Sequence, residues 1–87
     1  MERDFLYDEF ENCRTRFVCF ATENGRYDLA IVQSERFFGK QIVLNLQTNR
    51  YAIIGHDDLD EPGYLEEAFS LTSEAAADLR EFLREAL

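Results

Sequence analysis

Thr15 to Gln33 reads Thr-Arg-Phe-Val-Cys-Phe-Ala-Thr-Glu-Asn-Gly-Arg-Tyr-Asp-Leu-Ala-Ile-Val-Gln, two runs rich in β-branched and aromatic residues around Asn24-Gly25. Asn-Gly readily supplies the positive φ angles of a two-residue hairpin turn, so the stretch predicts a β-hairpin. A turn centred there sets Glu23 against Arg26, Thr22 against Tyr27, Phe20 against Leu29, Val18 against Ile31 and Phe17 against Val32. Val18, Phe20, Leu29 and Ile31 then share one face, and Phe17, Cys19, Ala21, Ala30 and Val32 the other. A hairpin wetted on one side alternates apolar with polar residues; this one is apolar on both and needs cover on both. What supplies the two covers decides the fold and most of the function.

The chain has 87 residues, enough for one α+β domain spanning 1–87. A domain this small buries only about 60–65% of its unfolded surface, so burying a further face against a second subunit helps it. Acids outnumber bases eighteen to nine, a formal net charge of −9. Up to Arg50 the balance is seven Lys or Arg against eight Asp or Glu; from Tyr51 onward it is two against ten. Phosphate recognition relies on clustered cations, so this field argues against nucleic acid, and equally against an anionic membrane surface. Met1-Glu2-Arg3-Asp4 lacks the basic and apolar regions of a signal peptide, and no apolar run approaches the ~20 residues of a membrane span. A cytoplasmic location with reduced thiols is expected. Cys13 and Cys19, about 20 Å apart along an extended segment, are too distant to pair, and both read as buried structural residues.

Further along, Gln41–Gln47 alternates Ile42, Leu44 and Leu46 with Gln41, Asn45 and Gln47, a third strand, and Tyr51–Ile54 after Thr48-Asn49-Arg50 is a fourth. Short connections favour an antiparallel meander of about four strands. Asp57 to Asp60 suits a short turn, and Pro62 suits the first position of a helix running to Phe69. Thr72 is an N-cap for a last helix from about Ser73 to Ala86, with Ala75, Leu79, Phe82, Leu83 and Ala86 in one stripe and Glu81 in reach of Arg84. The two C-terminal helices pack on one face of the sheet. The first dozen residues suit either a short helix or a strand; with Phe5, Leu6, Tyr7 and Phe10 they are too apolar for a free tail and are expected to dock, over an open face of the sheet for instance.

Two helices and an arm leave part of the sheet uncovered, and a two-fold homodimer is the economical remedy. The expected function is therefore non-enzymatic: a small acidic self-associating module that also binds an unidentified protein partner. Phe37 and Phe38, ahead of Gly39-Lys40, are the candidate interface residues, because aromatic side chains dominate interface energetics. The alternative is a small-ligand binder or enzyme with its site at His56, Asp57 and Asp58, where the last strand gives way to helix. His56 is the only histidine, and the acids Asp57, Asp58, Asp60 and Glu61 lack the spacing of a calcium loop, so a polar connection with helix-capping acids explains them as well. Arg14, Arg16, Arg26, Arg36 and Arg50 stand ready to complement the acidic helices. No phosphate loop, nucleophile elbow or Cys-x-x-Cys pair occurs, and no cofactor is implied.

The chain resembles, over nearly its whole length, a family of small uncharacterised cytosolic proteins of Gram-positive bacteria grouped as a domain of unknown function. Arg16-Phe17-Val18, Arg26-Tyr27-Asp28, Phe37-Phe38-Gly39-Lys40, Leu46-Gln47-Thr48, Ile53-Ile54-Gly55 with Asp57-Asp58-Leu59, and Tyr64-Leu65 carry the resemblance. It implies a single compact domain in the cytosol and assigns no catalytic residue.

Overall fold

A computed structural model describes residues 1–87. Its strands are β1 (Arg14–Thr22), β2 (Gly25–Gln33), β3 (Gln41–Asn45) and β4 (Arg50–Ile54), followed by helices α1 (His56–Leu59), α2 (Tyr64–Phe69) and α3 (Ser73–Ala86). The strands form one antiparallel sheet in the order β1-β2-β3-β4, the meander that short connections favour. All three helices lie on one face of it.

The β1–β2 hairpin closes two residues away from the expected register. Thr22 pairs with Gly25, Phe20 with Tyr27, Val18 with Leu29 and Phe17 with Ala30, so Glu23-Asn24 forms the turn and Gly25, at φ 147°, opens β2. The reason lies in side chains far along the chain. Thr22 Oγ1 and Asn24 Nδ2 donate to Asp78 Oδ2 on α3 at 2.5 and 3.0 Å, and the Tyr27 hydroxyl donates to the same oxygen at 3.0 Å. These contacts anchor the turn to α3. A shift of two residues leaves every side chain on its own face, so the division into two apolar faces stands.

On the helix side, Leu29, Ile31, Val43 and Ile54 of the sheet pack against Leu59, Leu65, Phe69, Ala76, Leu79 and Leu83. Each large side chain buried in such a core contributes about 1.5–3 kcal/mol. Phe20 extends the cluster, its ring 4.8 Å from Tyr27 and 4.9 Å from Phe82. Helix α3 is placed by its stripe of Ala75, Ala76, Leu79 and Leu83, and the Thr72 hydroxyl accepts the Ala75 N–H at 3.2 Å. Helix α2 begins at Tyr64, not at Pro62, because Gly63 adopts φ 79° and turns the chain into the helix from a left-handed position. The acids after Gly55 form the one-turn helix α1 where a turn was expected. The Arg80 Nε and Arg84 Nη2 donate to its Leu59 carbonyl, and Arg84 pairs with Asp60 at 2.9 Å in place of Glu81.

Strand β3 holds the least expected placement. Val43 faces the helices with Gln41 and a buried Asn45, whereas Ile42 and Leu44 face the opposite side. The Asn45 Oδ1 accepts the Gln47 N–H at 3.1 Å and so starts the turn to β4, completed by Asn49 at φ 60°. Leu46 lies in that turn, exposed.

Candidate functional site

The second face of the sheet carries Phe17 and Cys19 from β1, Ala30 and Val32 from β2, Ile42 and Leu44 from β3, and Tyr51 and Ile53 from β4. The strand registers place all eight on one side. No helix crosses it. Phe17 is 75% and Tyr51 66% exposed, at the two edges; Val32, Ile42, Leu44 and Ile53 are half-buried by their neighbours, and only Ala30, small and central, is buried. Arg26 and Asp28 form the one ion pair on this face, 3.1 Å apart, at the hairpin end. The Cys19 thiol and the Arg26 guanidinium hold the Asp28 carboxyl below the usual carboxylate range. Cys19 is therefore exposed and not buried as expected, because the face it belongs to has no cover, and Cys13, at the end of the uncovered N-terminal segment, is exposed as well.

The other sequence candidates are placed as follows. Phe38 is fully exposed and Phe37 half-buried, in the β2–β3 connection, where Phe37 N–H meets the Ser34 carbonyl at 3.4 Å and Lys40 N–H the Phe37 carbonyl at 3.2 Å. A groove of about 480 Å³ runs beside them, lined also by Gly39, Lys40 and Leu87. His56 stands exposed at the start of α1 with Nε2 2.7 Å from the Leu87 carbonyl oxygen. Asp58 accepts the Gly55 N–H and Lys40 Nζ, both at 2.9 Å, and the Gly55 N–H first, then Lys40, lowers its pKa from the ordinary aspartate value. Asp58 is thus committed to starting α1 and tying it to the sheet; no sheet arginine joins His56 and Asp57. No three His, Cys, Asp or Glu side chains converge in a way that could hold a metal ion. No helix is long and apolar enough to cross a membrane.

The sheet arginines do not pair with the acidic helices. Arg16 stacks over the Phe82 ring at 5.5 Å, Arg26 pairs within its own strand, and Arg36 takes Glu9 and Glu11 of the N-terminal segment. That segment, residues 1–13, forms no helix or strand, and its Phe5, Leu6, Tyr7 and Phe10 are exposed. Its expected docking on the sheet does not occur within one copy.

Sequence reasoning about the hairpin foresaw half of the open face. It missed Ile42, Leu44, Tyr51 and Ile53; the alternation in β3 marked an apolar side without telling which side the helices take. A model of the SAV0927-like family matches residues 6–85. No curated protein matches the chain.

Proposed function

The chain belongs to the SAV0927-like family, and from that premise and its open sheet face we propose that it is a non-catalytic, self-associating module whose second copy covers that face. One observation carries the reading: eight mostly apolar residues of a four-stranded sheet share a side that no element of the chain crosses, with Phe17 and Tyr51 standing in water. Burying such a face removes apolar area from water at roughly 25 cal/mol per Å². A two-fold arrangement makes the same patch serve both partners and closes the assembly. His56 and Asp58 already have partners within the chain, which leaves the apolar face as the surface best suited to a partner.

Sedimentation velocity at micromolar concentration tests it. The wild-type chain is expected to run as a dimer, and Phe17→Asp or Tyr51→Asp as a monomer with unchanged far-UV circular dichroism, since both side chains are exposed. A wild-type chain that stays monomeric contradicts the reading.

A further inference from the structure

The segment before β1 is tied to the rest of its own chain through Tyr7, Glu9 and Glu11: the Arg36 guanidinium lies 5.0 Å from the Tyr7 ring centre and binds the carboxylates of Glu9 and Glu11, and Ser34 Oγ donates to Glu11 at 2.6 Å. Leu6 and Phe10 make no such contact. Leu6 is 96% exposed and Phe10 entirely so. The clamp sits on the β2–β3 connection that also displays Phe38. The whole chain has a long axis of 50 Å and a radius of gyration of 14.7 Å, against ~12 Å for a compact chain of this length.

We propose that this arm is the second half of the interface, with Leu6 and Phe10 of one copy seated on the open sheet face of the other. This rests on the self-association just described and names the element that completes it. Area supports the pairing. Four strands at ~4.8 Å spacing and five to nine residues at ~3.4 Å give roughly 300–600 Å² per face. Two such faces reach only the lower edge of the roughly 1,200–2,000 Å² of a stable interface. Two arms, each bringing an aromatic ring worth about 150–250 Å² and a leucine, raise it into that range.

Two experiments on the full chain separate this from its alternatives. Leu6→Asp with Phe10→Asp should raise the dimer dissociation constant by roughly a hundredfold in sedimentation equilibrium, without lowering the melting temperature of dilute protein. If that variant dimerises like wild type while Phe17→Asp does not, self-association stands and the arm has no part in it; a monomeric wild type removes both. Mild oxidation of Asp8→Cys in a Cys13→Ser background then uses Cys19 on the open face as the trap. A covalent dimer on a non-reducing gel is the expected product. An intramolecular crosslink, or none, overturns the exchange between copies.

Discussion

The sheet presents two faces built from the same kinds of side chain. On the helix side Leu29, Ile31, Val43 and Ile54 are almost completely withdrawn from water, and on the other side Phe17, Val32, Leu44 and Tyr51 are half-buried or exposed. Composition does not separate them; the covering elements do. One face meets α2 and α3, whose apolar stripes were placed by a cap at Thr72 and a left-handed turn at Gly63. The other meets nothing in its own copy. A strand's apolar pattern therefore marks what must be covered, and the supply of helices decides whether the cover comes from within.

That contrast breaks most visibly in the covered core. Leu79→Ala or Phe69→Ala removes a fully buried side chain and should cost about 3–5 kcal/mol in urea unfolding. A loss below 1 kcal/mol would show that the helix face is not the core. Gly55→Ala comes next: a methyl group there would lie 3.0 Å from the Gly39 carbonyl and 3.2 Å from Lys40 Cγ, where α1 leaves the sheet. Overpacking against backbone should cost about 1–3 kcal/mol by the same measurement. Tyr27→Phe loses the hydroxyl bond to Asp78 and should cost about 1 kcal/mol, sharpening how firmly the hairpin is tied to α3. Smallest is the open face: Ile42→Thr should change the unfolding free energy of dilute protein by under about 1 kcal/mol while weakening self-association, read by light scattering.

Acid gives a further handle on the ties between sheet and helices. Asp58 is held below the ordinary aspartate pKa by the Gly55 N–H and then Lys40, and Asp78 by the Thr22 and then the Asn24 side chains. Carboxyls lowered in the fold stabilise it fully above their unfolded pKa of about 3.9, and the benefit is lost as pH falls through their lower folded values. Asp58→Asn should therefore make thermal stability less pH-dependent below about pH 4. An unaltered acid slope would remove Asp58 from this role.

Much of the fold was legible in local pattern. Asn24-Gly25 marked the hairpin to within two residues, Thr72 marked the start of α3, and the run of acids from Asp57 marked where strands give way to acidic helices. The hairpin register was not legible because Asp78, fifty-odd residues away, draws Thr22 and Asn24 into the turn. The side taken by β3 was hidden for a related reason. Asn45 is polar and reads as outward, yet its carboxamide serves the next turn from within the covered side, which sends Ile42 and Leu44 to the open one. Phe37 and Phe38, singled out by their place before Gly39-Lys40, lie in the β2–β3 connection and not on the open face. Leu6 and Phe10 were flagged as too apolar for a free tail, but nothing local told that Arg36 would engage Glu9 and Glu11 and leave those two side chains in water.

Cys19 reports most directly on whether a second copy covers the sheet, because its thiol lies on the open face between Phe17 and the Arg26–Asp28 pair. In a Cys13→Ser chain, alkylation of Cys19 should slow as protein concentration rises through the micromolar range and become fast on dilution. A rate that is high and independent of concentration would mean that the face stays in water and has no partner of its own kind.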